Sequence, residues 1–316
     1  MLQHQILIQK AKNQGIKTTD LSQLLQKPAT ILKYKNISEL IIEGVPTSWI
    51  NVRSQFYCDN KQLTKYAYQD LGIPYPKTAV FSDPSDPSLK AFFQKGKTYV
   101  CKPVDGTNGE GVVTEIRNLE MILDYYQTYH HLDHQFLLEE QVEGVDLRIH
   151  VMGGKIVAAC IREPAFVIGN GKNTLSELID QRREVMKTQN PGNKLEITET
   201  TQALLKQQNV GLEDIPEEDR KIRLKYVSNM AQGGIATDVT DEIHPAYHDW
   251  VAKLVDYLKT PYFGMDIMTM DYQGDPYQHA SILEINARAE WLHHTFSERR
   301  KHDIAGMMLG ILFFTV

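Results

Sequence analysis

The sequence has little of several things, and each scarcity excludes a class of protein. Basic charge is not in excess: the 316 residues carry a formal net charge of −6. No basic field therefore argues for nucleic acid or an anionic membrane surface. Cysteine is scarce. Cys58, Cys101 and Cys160 show no C-x-x-C spacing and lie in apolar settings, which reads as buried free thiols in a reducing cytoplasm. No apolar run approaches the ~20 residues that a membrane helix needs. The most apolar stretch, 307–316 (MMLGILFFTV), is expected to be a closing core helix and strand. The opening MLQHQILIQKAKNQGIK lacks the long apolar core and small-residue cleavage site of a secretory signal. Internal repeats and low-complexity tracts are missing, and so is any Ser-His-Asp or Cys-His arrangement that would supply a nucleophile.

What is present is ordinary for a globular protein: 42% hydrophobic and 23% charged residues. The length allows one large domain or two to three packed lobes. Residues 1–16 read as an amphipathic helix ending at Gly15, and 29–45 as a strand pair turning at Lys35-Asn36. A helix is expected over 60–72, capped by Asp59 or Asn60 and stopped by Gly72. Short strands follow at 78–81, 98–103, 112–116 and 135–141, with helices at 88–94 and 118–130. A hairpin turns at Gly153-Gly154, and 173–222 reads as mostly helical and polar, with 213–219 as a solvated helix start. A helix over 244–258 and a final hairpin over 263–286 complete the pattern. Interleaved but hairpin-rich elements favour an α+β class over one doubly wound sheet.

Three segments carry chemistry. In the final hairpin, Asp266, Glu284 and Asn286 are oxygen donors in strand-like surroundings. Glu284 and Asn286 are two apart and share a strand face, and Asp266 can meet them from the neighbouring antiparallel strand. Such a set suits Mg²⁺, which takes few protein oxygens and leaves positions for phosphate. Alone it is weak, since an E-x-N triplet occurs about once by chance in a chain this long. The second segment is Lys102 ending a strand, followed by a loop with Gly106, Thr107, Asn108, Gly109 and Gly111. Glycines let backbone N–H groups approach phosphate, and Lys102 adds a point charge. The loop runs into a strand, so it is neither a Walker loop nor a dinucleotide fingerprint. The third is the acidic hinge Glu139, Glu140, Val142 and Asp146. Its backbone can bond an adenine edge, and Asp146 can accept from ribose hydroxyls. Arg148 shares a strand face with Asp146 and can reach phosphate or carboxylate bidentately. A solvated acidic edge is the plain alternative for these glutamates. His244 and His248 have metal-ligand spacing but no evident third ligand, so a structural role is expected.

The order of these parts, with Lys61 on the 60–72 helix, resembles the ATP-grasp superfamily. It is most similar to the ATP-grasp ligase domains of bifunctional glutathione synthetases and cyanophycin synthetases. The resemblance rests on Asn60-Lys61 with Thr64-Lys65, on KPVDGTNGEGV, on REPAFVIGNGKNT from Arg162, and on NMAQGG from Asn229 running into TDEIHP. It covers about residues 55–315, and the first fifty or so match loosely.

The resemblance implies a fold of two α+β lobes gripping ATP over 59–316, with a small clamping lobe at about 74–142 and a reduced N-terminal lobe over 1–58. It implies that Lys61 and Lys102 contact the α- and β-phosphates and that the glycine loop closes over the β- and γ-phosphates. Glu139 and the Val142 backbone would hold adenine, with Glu140 beside them, and Asp146 the ribose. Asp266, Glu284 and Asn286 would carry one or two Mg²⁺ ions, with Mn²⁺ as a substitute. Arg162 and Arg148 would face the γ-phosphate and an acyl-phosphate, and Asn229 would border the acceptor. The implied activity is ATP-dependent carboxylate–amine ligation in the cytoplasm, with an amino acid or short peptide as substrate. No nucleic acid or membrane partner is implied, and a homodimer is admitted. Two alternatives stay open: a ligase modifying a ribosomal precursor peptide, and a nucleotide-binding regulatory protein without turnover. Relatives commonly read Asn-x-x-Pro after the metal residues. Here Ala289 stands for the proline, and Arg288, Glu290 and His293 add charge, so Arg288 is a candidate for a substrate carboxylate. The sequence carries no Glu-Cys ligase or Mur-like domain, so the two-domain routes of those relatives are not expected.

Overall fold

The computed structural model describes residues 1–104, 111–131, 135–189, 193–226, 228 and 230–314. The chain opens with α1 (Leu2–Asn13), β1 (Lys17–Asp20), α2 (Ser22–Leu25), β2 (Ala29–Tyr34), β3 (Ile37–Ile42) and β4 (Val45–Pro46). The four strands form an antiparallel sheet in sequential order. Lys35 takes a left-handed backbone at the expected β2–β3 turn. Leu7 and Ala11 from α1 join Leu32 and Ile41 in a core that also contains Trp291, Met308 and Phe313 from the far end of the chain. A small sheet alone buries too little to be stable, so sharing a core across the chain is its support.

Two helices follow, α3 (Val52–Asp59), which the sequence reading missed, and α4 (Lys61–Leu71). Asn60 caps α4 by accepting from Leu63 N–H, and Gly72 ends it in the left-handed region, as the cap chemistry predicts. The next sheet holds β5 (Thr78–Phe81), β6 (Tyr99–Pro103), β7 (Val113–Ile116) and β8 (Phe136–Glu140), in the order β5-β8-β6-β7, with α5 (Pro87–Phe92) and α6 (Leu119–Tyr129). Phe81, Tyr99, Ile122 and Phe136 fill its own core.

The remaining chain builds the larger sheet from β9 (Val145–Met152) and β10 (Lys155–Glu163), with β11 (Phe166–Ile168), α7 (Leu175–Gln189), α8 (Glu199–Gln207) and β12 (Lys221–Arg223) as an excursion. It continues through β13 (Ile235–Asp238), α9 (Tyr247–Leu258), β14 (Phe263–Thr269), α10 (Pro276–His279), β15 (Ala280–Asn286), α11 (Leu292–Thr295) and α12 (Ile304–Leu309). The sheet is antiparallel in the order β13-β10-β9-β14-β15. Leu147, Ile149 and Val151 pack with Met265, Ile267 and the Trp250–Leu254 face of α9. Strand alternation therefore turns Asp146, Arg148 and His150 to the opposite face. This mixed architecture agrees with the α+β expectation.

Three local expectations are corrected. The run 213–219 is a loop, not a helix start: Gly171 N–H donates to Pro216 O (3.0 Å) and Asp219 N–H to Gly169 O (3.0 Å). Those bonds hold the backbone against the β11 end, and Pro216 could not continue a helix. The 244–258 helix starts at Tyr247, because His244 N–H donates to Tyr272 O (2.9 Å) instead of entering the helix. The C-terminal stretch continues α12 as a wide helical turn over Gly310–Phe314, with no closing strand among the described residues. No helix among them is long and apolar enough to cross a membrane.

Gly144 joins the two sheets at φ +133°, and a Cβ there would sit 2.3 Å from Thr269 O. Gly144→Ala is expected to cost about 2 kcal/mol, since both backbone strain and a rigid carbonyl oppose it. A thermal or urea melt checks this, and an unchanged midpoint would refute the close approach.

Candidate active site

The two sheets face each other across a cavity of about 390 Å³ whose walls include Lys61, Lys102, Glu139, Asp146, Arg162, Asp266 and Glu284. Apolar Val100, Val112, Met268 and Leu283 line it as well, which suits a flat aromatic base beside charged groups. A larger cavity of about 610 Å³ lies between α1 and the first sheet. Its one buried imidazole, His4, is satisfied: Nδ1 accepts from Gly44 N–H (3.2 Å) and Nε2 meets Thr30 Oγ1 (2.9 Å). That cavity offers no such convergence of charge.

Sheet register builds the floor of the site. Asp146 pairs with Arg162, Arg148 with Asp266, and Asp266 with Glu284, each directly across adjacent strands. A one-residue slip would turn every one of these side chains into the opposite face. Arg162 donates to Asp146 Oδ1 from Nη2 (2.7 Å) and Nε (3.1 Å), and its Nη2 lies 3.0 Å from Asp266 Oδ1. Arg148 Nη1 donates to the same Asp266 oxygen at 2.5 Å. Asn286 Nδ2 donates to Asp266 Oδ2 at 3.2 Å, and Ser228 Oγ to Asp146 Oδ2 at 2.8 Å.

The charges answer one another. Burial would raise Asp266, but Arg148 and Arg162 outweigh it and hold the carboxyl at about 2. Glu284 goes the other way: burial and the like charge of Asp266 raise it, against Lys61, Lys102 and Arg148. Two carboxylates side by side with an amide oxygen are hard donors, and their repulsion is what a divalent cation would relieve. The set fits Mg²⁺. Among the described residues no three His, Cys, Asp or Glu converge, so the amide of Asn286 would be the third donor, and His244 and His248 gain no third such ligand.

Above this floor lies a buried triad. Glu139 is 3% exposed; its Oε1 takes Lys102 Nζ and its Oε2 Lys65 Nζ, both at 2.9 Å, and Thr78 Oγ1 donates to Oε2 at 3.1 Å. Lys65 also donates to Leu283 O (3.4 Å), next to Glu284 on β15. The Glu139 carboxylate thus faces the two lysines. Lys65 is the residue the site reading missed. Its signal was present: Lys61 and Lys65 are four apart on the buried face of an amphipathic helix, an unusual place for lysine.

The other expected residues divide. Glu140 and Val142 border the cavity, and Glu140 pairs with Lys97 at 2.9 Å. Lys61 Nζ donates to Val104 O (3.4 Å) at the start of the glycine loop. Gly111 takes the left-handed region, whereas Gly106, Thr107, Asn108, Gly109 and Asn229 lie outside the described residues. Arg288 does not line the cavity. Its Nη1 lies 3.7 Å from Glu43 of the first sheet.

Residues 64–217 match the family described as prokaryotic glutathione synthetase, ATP-grasp domain. A solved bifunctional glutathione synthetase from Pasteurella multocida superposes with a TM-score of 0.73 at 22% identity, over 98% of this chain and 43% of that one. Residues 64–217 are thus identified as an ATP-grasp domain, and the chain shares the fold of that synthetase. A cyanophycin synthetase of Trichormus variabilis is 32% identical over 81% of this chain and 29% of its own length. A glutathione biosynthesis bifunctional protein of Clostridium perfringens is 29% identical over 99% of this chain and 41% of its own. The chain thus spans less than half the length of these relatives. The match to the family model ends before Asp266, so Asp266, Glu284 and Asn286 are placed by the fold and not by that match.

Proposed function

We propose that this ATP-grasp protein is an ADP-forming, Mg²⁺-dependent carboxylate–amine ligase acting in the cytoplasm on an amino acid, small peptide or related metabolite. One observation carries the reading. Lys61 and Lys102 from separate elements and the half-buried Arg162 converge with Asp266 and Glu284 on one cavity between two sheets, and the buried Arg148 pairs with Asp266 beside it. That is a site for transferring a phosphoryl group between oxygen anions.

A carboxylate is a poor electrophile. Its oxygen attacks the γ-phosphorus of ATP, ADP leaves, and the carboxylate becomes an acyl-phosphate. The neutral amine nitrogen then attacks the acyl carbon, the C–O bond to phosphate breaks, the nitrogen gives up one proton to the departing phosphate, and amide and hydrogen phosphate result. Lys61 and Lys102 are positioned to bind phosphate oxygens, and Arg162 to neutralise the transferring group. Asp266, Glu284 and Asn286 would hold Mg²⁺, which supplies charge neutralisation and orientation of the phosphates. Glu139 orients Lys102, and Asp146 orients Arg162. No side-chain nucleophile enters, so catalysis rests on positioning and charge.

The full chain should release ADP and phosphate only when ATP, a carboxylate and an amine are all present in a pool of amino acids and short peptides. Mass spectrometry of the product would name the substrates. ADP release that ignores the acceptor, or none with any pool, would refute the ligase reading.

A further inference from the structure

Beside the cavity a residue other than glycine holds a left-handed backbone. Glu115 in β7 has φ +61°, a conformation in which the Cβ of an L-residue crowds its own carbonyl. It lies where β7 carries one extra residue. Tyr99 pairs with Ile116 and Cys101 with Val113, so two steps along β6 face three along β7, the count of a β-bulge. The extra residue resolves a conflict of faces. Val112 and Thr114 line the cavity, while Val113 and Ile116 pack in the core of the β5–β8 sheet. Strict alternation would put Ile116 on the face of Val112 and Thr114 and turn Glu115 into that core. With the bulge, Ile116 is 1% exposed and Glu115 stays at the surface.

A side chain from outside the strand pins this bulge. Gln141 follows β8, and its own N–H donates to Thr98 O (2.9 Å). The strand order is β5-β8-β6-β7, so Gln141 reaches past the end of β6 to a strand that β8 does not pair with. Its Oε1 accepts from Glu115 N–H (2.8 Å), and its Nε2 donates to Glu115 Oε1 (2.6 Å). Arg117 Nη2 donates to the other carboxylate oxygen at 2.5 Å. The Gln141 amide, and Arg117 after it, hold the Glu115 carboxyl below its ordinary value. Gln141 itself lines the cavity between Glu140 and Val142. These bonds therefore join two walls of one cavity, the hinge on one side and Val112 and Thr114 on the other.

We infer that Gln141 is a positioning residue for the nucleotide: by holding the strained Glu115 bulge, it fixes the Val112 and Thr114 wall against the hinge. The inference rests on the proposed reading of this cavity as the ATP site. Among the described residues β7 is an edge strand with β6 as its one strand partner, and the bulge interrupts that ladder. A strained backbone persists only where its surroundings over-determine it. Glycine would take the left-handed turn unaided, whereas glutamate there depends on the Gln141 amide.

The test is calorimetric titration of the full chain with ADP in the presence of Mg²⁺. Gln141→Ala should weaken ADP by about fivefold or more, because losing two hydrogen bonds lowers the fraction of the protein that is competent to bind. Glu115→Gly should bind ADP within about twofold of the wild type, since the strain is gone and its N–H can still donate to Gln141. Gln141→Ala combined with Glu115→Gly should return to within about twofold of Glu115→Gly alone, because an unstrained bulge needs no strap. That rescue separates positioning from a surface hydrogen bond that only stabilises the fold. A Gln141→Ala protein that melts earlier yet binds ADP as the wild type does, or a double variant as weak as Gln141→Ala, would overturn the inference. A wild-type chain that binds no ADP would remove the reading of the cavity and the inference with it. Nucleotide affinity is measured here without substrates, so ADP and phosphate release in the ligase assay judges the carboxylate–amine chemistry separately.

Discussion

Glu139→Leu is expected to destabilise the protein by about 3–5 kcal/mol, because it leaves Lys65 and Lys102 as buried cations without their shared counter-charge. Burial alone would raise the Glu139 carboxyl, but Lys102 and Lys65 bring it from 4.5 down to about 2. A depressed carboxyl contributes stability that is present above its unfolded value and lost as pH falls through the folded one. The wild-type protein should therefore lose about 3 kcal/mol between pH 4.5 and about 2, and Glu139→Gln should lack that part of the acid slope. Lys65 works in the opposite sense. Burial outweighs Glu139 and lowers it from 10.5 to about 8, so stability rises with pH across that window and the charged lysine is a cost at neutral pH. The triad is thus a poor stabiliser and a good locator. It ties α4, β6 and β8 together and, through Leu283 O, to the strand that carries Glu284. The KM for ATP should rise by at least about tenfold in Lys65→Met. Urea melts across pH with ATP kinetics check both; a flat acid response with normal ATP affinity would refute the assignment.

Asp266→Ala should have the larger effect on turnover, a loss on the order of 10³-fold or more, since it removes an anionic ligand of the proposed Mg²⁺ site and the counter-charge of Arg148, while Arg162 keeps Asp146. Arg148 is 4% exposed and its Nε already lacks a hydrogen-bond partner among the described residues, so the variant should also melt earlier by the cost of an unpaired buried charge. Asp266→Asn keeps the shape and part of the hydrogen bonding. It should fold better than the alanine variant while remaining as inactive. ADP release at saturating Mg²⁺ separates the two effects, and an Asp266→Asn protein with near-normal kcat would exclude Asp266 as a ligand.

Local chemistry was legible where a residue type has one dominant use. Gly72 ended α4 as read, and of the two cap candidates Asn60 caps it, because a cap and a left-handed stop need no tertiary partner. The Asp266–Glu284 pairing followed from strand alternation in a hairpin. Reading failed where the partner is distant in sequence. The 213–219 loop is held by Gly169 and Gly171, and residues 307–314 pack on Tyr34 and Leu32 of the first sheet instead of pairing as a strand. Arg288 was placed by Glu43, which no local pattern announces.

By itself the sequence determined which chemical groups were available and in what order along the chain: paired lysines, a glycine loop, an acidic hinge and two carboxylates with an amide. Period-two alternation and cap residues determined the local elements that carry them, since those depend on neighbours a few residues away. Tertiary structure alone decided which charge answers which. Glu139 is bound to lysines from two other elements, and Asp266 to arginines from two other strands. The physical reason is that ionic pairing depends on distance and desolvation in three dimensions, and both are set only when the sheets have come together.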